Sequence, residues 1–378
     1  MMGWDGPRPM RPEEYEEVMA VLERAFGLPK HHWLAQYPGT ARDRLVWEDH
    51  FVICEEGRVV CHAALYPRTL VVDGCDVPLG GIGSVSTDPD FQGRGHFSRL
   101  MQHLTDVMRD RQIPLAVLWG RTSRYRHFGY EPAGRRVVFR LSGKPASAAG
   151  AAAGSVRGLR PHEDLAWTLA AHSREPLHIA RSPGGQLERL TGGASQTWVT
   201  DEEGARAYVL LEDGRVLEYA GDPQGVLEIL AYLRDHYHPA GFDVLAPYRD
   251  GRLVRGLFEM GASWRVETLG MFAIIDLQRL LRAFAPQLRA RAAAAGLPRG
   301  ARLSLRNGDT GEIASLVWED EVVIGGGSDG EAIPVTSSQL TRLLLGPSLE
   351  RQGRNEAEQQ LLDCLFPLDL YIHPLDSV

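Results

Sequence analysis

The sequence has few cysteines, no long apolar run and no excess of positive charge. Its four cysteines, Cys54, Cys61, Cys75 and Cys364, are scattered without CxxC spacing. This argues against a disulfide framework or a zinc site and predicts reduced, buried thiols. No segment approaches the roughly 20 uninterrupted apolar residues of a membrane span, and the first residues lack the pattern of a signal peptide. We therefore expect a cytoplasmic protein without a membrane partner.

The charge balance is mildly acidic, with 41 Lys and Arg against 49 Asp and Glu and a formal net charge of −8. Nucleic acids call for concentrated Lys and Arg, so no nucleic-acid partner is expected. The balance mildly favours a cationic substrate, although ordinary solubility explains it equally well. The 378 residues are enough for two or three domains.

Residues 1–145 are interpreted as one unit of alternating helix and strand. Val18, Leu22, Ala25 and Phe26 have helical spacing, and Gly27 marks the end of that helix. The β-rich run that follows is broken by the Glu56-Gly57 and Asp73-Gly74 dipeptides, which predicts an antiparallel meander with tight turns.

The stretch "VSTDPDFQGRGHF", residues 85–97, joins a strand end to a glycine-rich run. A helix with an apolar stripe and the buried strand "PLAVLWG" follow, which together predict a βαβ unit. Glycines at a helix start let a phosphate approach the backbone N–H groups, and Arg94 adds a cation. A plain strand-to-helix turn is the competing interpretation.

Two further units are predicted beyond this one. Residues 142–155 are rich in Ala, Gly and Ser, which is typical of a linker. Residues 156–271 repeat the first pattern weakly but lack its glycine run, which predicts a copy without ligand binding. Residues 272–378 are predicted to form a small α+β unit. It is expected to begin with one long amphipathic helix and to end in a docked apolar tail.

The glycine-rich segment resembles the acetyl-CoA motif of the GNAT N-acetyltransferases. The motif residues are Gln92, Gly93, Arg94, Gly95, His96 and Phe97. The last one departs from the family, which usually has Gly or Ala there. The resemblance implies that Val85, Ser86 and Thr87 pair with the pantetheine arm, and that backbone N–H groups near Thr87 polarise the thioester carbonyl. It extends the acetyl-CoA contacts to Ser98, Gly120 and Arg121.

The segment "YRHFGYEPAG", residues 125–134, is similar to the signature of the enhanced-intracellular-survival (Eis) branch of the GNAT family. That branch implies a mixed α+β chain of three parts: a catalytic GNAT domain, a degenerate GNAT-like domain and a sterol-carrier-like domain. It also implies a homo-oligomer, such as a hexamer.

The same resemblance implies two catalytic groups. Tyr125 would protonate the departing thiolate, and the terminal carboxylate of Val378 would accept the proton of the amine. Asp376 is the alternative base. Tyr130 is expected to pack beside the pantetheine channel.

Substrate contacts are predicted at Phe26 and Trp33, where this branch lines its amine pocket with aromatic rings. Ordinary core packing explains both residues equally well. His31 and His32 are adjacent but have no third ligand in the sequence, so no metal is expected.

The leading hypothesis is an acetyl-CoA-dependent transferase acting on a primary amine of an aminoglycoside-like or polyamine-like cation, or of a lysine, by direct attack in a ternary complex. A non-catalytic acyl-CoA or lipid-binding protein and a transferase of larger acyl groups are the alternatives.

Overall fold

A computed structural model describes residues 3–142, 156–192, 195–201, 205–237, 240–319, 322–327, 332–346 and 351–377. The predicted linker after Ser142 and the terminal residue Val378 therefore lie outside the described residues.

The first unit has the predicted order of helices and strands. Its strands are β1 (Trp4–Pro9), β2 (His50–Glu55), β3 (Arg58–Val72), β4 (Cys75–Thr87), β5 (Leu115–Leu118) and β6 (Glu131–Ala133). Its helices are α1 (Tyr15–Phe26), α2 (Lys30–Gln36), α3 (His96–Asp110) and α4 (Thr122–Tyr125). The meander of β2, β3 and β4 is confirmed, because Glu56-Gly57 and Asp73-Gly74 both take the positive φ angles of tight hairpin turns.

Helix α1 confirms only half of its predicted apolar stripe. Val18 and Leu22 are buried, whereas Ala25 and Phe26 are exposed. The last turn of α1 therefore extends past the core, and Gly27 ends the helix in the left-handed conformation.

The second unit repeats the layout of the first. Its strands are β7 (Arg136–Leu141), β8 (Val156–Gly158), β9 (Leu177–Ile179), β10 (Gln196–Thr200), β11 (Ala207–Glu212), β12 (Arg215–Gly221), β13 (Phe242–Pro247), β14 (Ser263–Glu267) and β15 (Gly270–Ile274). Its helices are α5 (Pro161–His172), α6 (Pro183–Thr191), α7 (Pro223–His236) and α8 (Arg252–Glu259).

The first two units exchange strands. The order in the first sheet is β1-β2-β3-β4-β5-β15-β6, with β9 paired to β3. In the second sheet it is β8-β10-β11-β12-β13-β7-β14. Strand β15 thus takes in the first sheet the position that β7 takes in the second. The division at residues 145 and 271 stays a prediction. Neither border separates the two sheets, because β7 lies before residue 145 but belongs to the second sheet, and β15 spans residue 271 but belongs to the first.

The third unit is a four-stranded sheet with helices. Its strands are β16 (Arg302–Asn307), β17 (Ile313–Trp318), β18 (Val322–Gly325) and β19 (Ile333–Val335), and its helices are α9 (Leu277–Ala283), α10 (Ala285–Ala294), α11 (Ser337–Leu345) and α12 (Glu356–Leu365). The prediction of one long first helix is wrong. The chain breaks at Phe284 because Pro286 has no N–H to continue the hydrogen-bond ladder.

The core of the third unit is continuous with that of the first. Leu79 and Leu115 of the first sheet belong to one buried cluster with Leu281 and Leu344. The C-terminal tail packs on this cluster, with Tyr371 fully buried and its hydroxyl donating to the carbonyl of Leu245 at 2.8 Å. The docked tail is therefore confirmed through the buried Asp376.

Candidate active site

A gap opens between β4 and β5. The two strands are parallel and pair only at residues 79–81 of β4 and 115–117 of β5. No pairing joins the rest of β4 to β5 in the described chain. The gap is flanked on one side by Val85, Ser86 and Thr87 and on the other by the segment after β5, which begins at Trp119. The carboxyl end of a sheet is the ordinary place for a ligand crevice in an open α/β sheet.

Residues 88–95 connect the end of β4 to the N-terminus of α3, which carries no side-chain cap. Gly93 and Gly95 have φ angles of +76° and +83°, and a Cβ on either would meet no heavy atom within 4 Å. The first N–H groups of a helix have no acceptor within the helix. The 15-residue helix therefore presents open backbone donors and the positive end of its dipole to an anion.

The corresponding helix of the second unit is closed to an anion. The side chain of Asp222 caps α7 by accepting from the N–H of Gln224 at 2.8 Å, and Pro223 supplies no donor. A Cβ at Gly225 would come within 1.9 Å of the carbonyl oxygen of Ala205. The capping carboxylate and the close packing support the expectation that this copy has lost ligand binding.

Two motif side chains, the exposed Arg94 and the buried His96, contact Glu55. Glu55 accepts from an Arg94 guanidinium nitrogen at 2.7 Å and lies 2.8 Å from Nε2 of the buried His96. The hydrogen bond to His96, together with that to Arg94, lowers the pKa of Glu55. The Arg94 guanidinium also lies 4.6 Å from the centre of the Phe91 ring. Arg94 is therefore already paired with Glu55, although its side chain stays 45% exposed. Arg94 and His96 offer an anion their backbone N–H groups.

The remaining predicted acetyl-CoA contacts border the gap. Gln92 and Ser98 are exposed beside the glycines, and Gly120 and Arg121 are exposed after β5. On β4, Val85 is half-buried, the Ser86 hydroxyl is buried without a hydrogen-bond partner, and the Thr87 hydroxyl lies 3.3 Å from the Cys61 sulfur. Of the four cysteines, Cys54, Cys61 and Cys75 are buried as predicted, whereas Cys364 is only half-buried.

Tyr125 lies at the end of α4, between the end of β5 and the first turn of α3. Its ring is 7% exposed and packs on Gly120, where a Cβ would approach the Tyr125 Cε2 atom to 2.5 Å. Burial raises the pKa of Tyr125, and the neighbouring Arg124 charge opposes that rise. The phenol therefore stays protonated at neutral pH, as a proton donor must.

Tyr130 lies beneath Tyr125, with ring centroids 6.2 Å apart. It is fully buried, its hydroxyl has no hydrogen-bond partner, and burial raises its pKa strongly. This is the packing role expected of Tyr130.

Phe97 is part of an aromatic cluster that sequence reasoning missed. Its half-buried ring lies 5.6 Å from the rings of both Tyr125 and Phe128. The position of Phe97 on the apolar stripe of α3 indicates in the sequence that its ring packs against the protein. The phenylalanine that departs from the motif therefore contacts Tyr125, the candidate acid.

The predicted substrate aromatics lie together near the end of β4. Phe26 is 51% exposed, Trp33 is buried, and their rings are 5.1 Å apart. Arg24, two residues before Phe26, pairs with Asp88 just after β4 at 2.9 Å. Trp33 belongs to the core around α1, so only Phe26 offers an open ring face.

Asp376, the alternative base, is engaged in a buried ion pair. Arg181 bonds both Asp376, with an Nε to Oδ1 distance of 3.2 Å, and Glu218, at 2.9 Å. Burial opposes the ionisation of Glu218, yet the Arg181 charge lowers its pKa to about 2. The pair holds the tail two residues before Val378, which itself lies outside the described residues.

The described residues give no support for a metal or a membrane segment. No group of three or more His, Cys, Asp or Glu within the described ranges is placed to hold a metal ion. In the same part of the chain, no helix has the length and apolarity that crossing a membrane requires.

Comparison with known proteins identifies the family to which the first unit is similar. Residues 7–133 match a family model described as an acetyltransferase (GNAT) domain. No curated protein matches the sequence significantly.

Solved structures share the fold over the whole chain. A protein from Enterococcus faecalis, described as a probable N-acyltransferase, has 15% identity and a TM-score of 0.76, with 100% of both chains covered. A GCN5-related N-acetyltransferase from Kribbella flavida has 20% identity and a TM-score of 0.72, covering 100% of this chain and 98% of that one. Eis1 from Mycobacterium abscessus has 18% identity and a TM-score of 0.69, covering 98% and 99%.

The family match and the open helix start beside a split sheet define an enzyme class: the protein is an acyltransferase. More narrowly, residues 7–133 form a GNAT acetyltransferase domain, set within a larger mixed α+β chain.

Proposed function

We propose that the protein transfers an acetyl group from acetyl-CoA to a primary amine of a cationic small molecule, aminoglycoside-like or polyamine-like, or of a lysine. One observation carries the proposal. The gap between β4 and β5 opens beside the uncapped start of α3, and the protonated Tyr125 packs against that same helix turn.

The cofactor would lie along this gap. Its pyrophosphate fits the open N–H groups that follow Gly93 and Gly95, because neither glycine has a Cβ to block the approach. The pantetheine arm would pair with the edge of β4 at residues 85–87, which β5 leaves unpaired. The thioester then comes to the end of the gap where Tyr125 lies.

The reaction is a direct transfer in a ternary complex. The neutral amine attacks the thioester carbon, a C–N bond forms, and the C–S bond breaks. The Tyr125 hydroxyl gives its proton to the departing thiolate and is reprotonated from solvent. The proton of the amine passes to a carboxylate, for which we propose the terminus at Val378. Asp376 is less suited to that role because Arg181 already holds it.

The acceptor is proposed from the surroundings of α1. The exposed Phe26 ring, backed by Trp33, offers a face on which a cation or a sugar ring can stack. The signature at residues 125–134 and the fold shared with Eis1 support a place in the Eis branch, with a sterol-carrier-like third domain and a homo-oligomeric assembly.

The proposal is tested by a screen of donors and acceptors with free thiol as the readout. Acetyl-, propionyl- and long-chain acyl-CoA are each offered with an aminoglycoside, a polyamine and a lysine peptide. Acetyl-CoA with one of these amines should release thiol. Saturable acetyl-CoA binding without thiol release from any pair would contradict the transferase and favour a binding protein, and a preference for longer chains would correct the donor.

The proposed base is tested by adding residues after Val378. A Gly-Ser extension moves the carboxylate and should lower kcat while leaving the Kd for acetyl-CoA unchanged. The matched control carries the same extension at the N-terminus. Equal activity of the two forms would show that the terminal carboxylate is not the base.

A further inference from the structure

A pair of buried histidines connects three strands beneath the gap. Nδ1 of His50, on β2, lies 3.1 Å from Nε2 of His62, on β3. Nδ1 of His62 lies 3.1 Å from the carbonyl oxygen of Ser84, on β4. The two histidines are 4% and 1% exposed. Neither side chain has a role in the reaction described above.

The carbonyl oxygen fixes the proton positions in this chain. A carbonyl only accepts, so His62 Nδ1 carries a proton and donates it to Ser84. Nε2 of His62 is then the acceptor for a proton on His50 Nδ1. Burial lowers the pKa of His50 to about 4, and burial together with the neighbouring His50 lowers that of His62 to about 3. Both imidazoles are therefore neutral near pH 7.

The series of hydrogen bonds from His50 through His62 ends at Ser84, a residue of β4 with a positive φ angle. Ser84 has a φ angle of +55°, a left-handed conformation that is unfavourable for a residue other than glycine. The pairing between β3 and β4 shifts at this point, so that Ser84 and Val85 together face Ala63. Such a bulge leaves a residue out of the ladder and re-aims the strand that follows.

We propose that His62 is a positioning residue: its hydrogen bond to the Ser84 carbonyl holds the β4 bulge that directs the backbone of residues 85–87 toward the thioester, and His50 holds His62 in the required tautomer. The proposal rests on the proposed function, in which residues 85–87 receive acetyl-CoA. Packing alone would not require an imidazole at either of these two buried positions. A leucine would fill the same space without bonding a carbonyl.

The test compares two substitutions of His62 with a packing control on the same strand. His62→Leu removes the donor, and His62→Asn retains a side-chain N–H at a similar reach. Val60→Ala removes buried volume from β3 without altering the bond to Ser84. Each variant is measured for its Tm, kcat, Kd for free CoA and the amide exchange rates of Ser86 and Thr87.

His62→Leu should lower kcat by about tenfold or more, because misdirected backbone donors lose transition-state stabilisation. Its Kd for free CoA should change by less than about threefold, since the open start of α3 binds the phosphates independently. Exchange at Ser86 and Thr87 should quicken by about tenfold or more. His62→Asn should recover most of kcat, and Val60→Ala should lose Tm with little change in kcat.

Two results would overturn the proposal. One is unchanged exchange at Ser86 and Thr87 in His62→Leu. The other is a kcat that falls in Val60→Ala as far as in His62→Leu. The exchange measurement needs no substrate, so it decides the positioning role even if no amine is acetylated. The wild-type screen decides the proposed function by itself.

Discussion

Phe97 and Tyr125 lie edge to face, with ring centroids 5.6 Å apart. This contact joins the first turn of α3, proposed to hold the pyrophosphate, to the proposed acid at the other end of the cofactor. Phe97 and Gly120 both contact the Tyr125 ring and restrict its position.

Removing the Phe97 ring should therefore harm catalysis more than cofactor binding. Phe97→Ala should lower kcat by about tenfold, because Tyr125 loses a neighbour that fixes its hydroxyl. The Kd for acetyl-CoA should not fall. The matched control is Val107→Ala, which truncates another half-buried residue of α3 that packs against the hydrophobic core of the first unit. Tighter acetyl-CoA binding by Phe97→Ala with an unchanged kcat would show that the ring is an obstacle instead.

The two neighbouring tyrosines should respond differently to the loss of their hydroxyls. Tyr125→Phe should lower kcat by about 100-fold or more, the usual contribution of a general acid. Its acetyl-CoA affinity should be unchanged. Tyr130→Phe should keep both values and the Tm, because the Tyr130 hydroxyl has no hydrogen-bond partner to lose. Steady-state kinetics and calorimetric titration measure both variants, and equal losses of kcat would remove the distinction between acid and packing residue.

Gly120 should tolerate no side chain. A Cβ at this position would lie 2.5 Å from the Tyr125 ring, so Gly120→Ala should displace the ring and lower kcat by about tenfold or more. Gly158→Ala is the control, because no heavy atom lies within 4 Å of the added Cβ. A Gly120→Ala enzyme with wild-type kcat would show that Tyr125 moves without consequence.

Breaking the buried ion pair of the tail should cost both stability and rate. Asp376→Asn leaves Arg181 with one carboxylate fewer and should lower the free energy of unfolding by about 3–5 kcal/mol. It should also lower kcat, because the tail carries the proposed terminal base. Asp369 lies in the same tail and forms a partly exposed ion pair with Arg291 of α10. Asp369→Asn should lower the free energy of unfolding by less than about 1 kcal/mol. Chemical denaturation and kinetics at 25 °C compare the two, and similar losses would argue against a special role for Asp376.

Stability should fall as the pH is lowered from about 6.5 toward about 4. Burial lowers the pKa of His50 to about 4 and, with the neighbouring His50, that of His62 to about 3, whereas an unfolded histidine titrates near 6.5. The unfolded chain therefore binds more protons in this window, so stability rises with pH there. Each histidine contributes a slope of up to about 1.4 kcal/mol per pH unit.

The measurement is denaturation between pH 7.5 and 5. Burial raises the pKa of Glu175 to about 7, which opposes the histidines in this window, so the histidine contribution is the difference between variant and wild type. A double variant, His50→Gln with His62→Asn, should show a shallower slope. His373, whose pKa burial also lowers to about 4, should maintain part of it. An identical slope in the double variant and the wild type would mean that the two histidines are not neutral in the folded protein.

Local patterns were enough to predict much of the first unit. The dipeptides Glu56-Gly57 and Asp73-Gly74 predicted the meander, and the glycines at 93 and 95 predicted the open start of α3, because these features depend on backbone conformations that neighbouring residues determine. Pro286 is likewise a local signal for the break between α9 and α10, which the sequence prediction of one long helix does not include.

Contacts between distant residues were not predictable in this way. Nothing near Arg94 in the sequence indicates that Glu55, 39 residues earlier, neutralises it. Nothing in the sequence near β15 indicates that this strand leaves its own unit to lie between β5 and β6. Such pairings depend on which surfaces meet in the folded chain.

The position of β15 also determines when the first sheet can be completed during synthesis of the chain. Strand β6 follows Tyr130 immediately and, among the strands that the structure describes, pairs with the first sheet only through β15. Until residue 274 has emerged from the ribosome, β5 has an open edge and the segment that carries Tyr125 and Tyr130 has no strand to hold its far end. The first sheet therefore becomes continuous from β5 to β6 only after most of the second unit has been made.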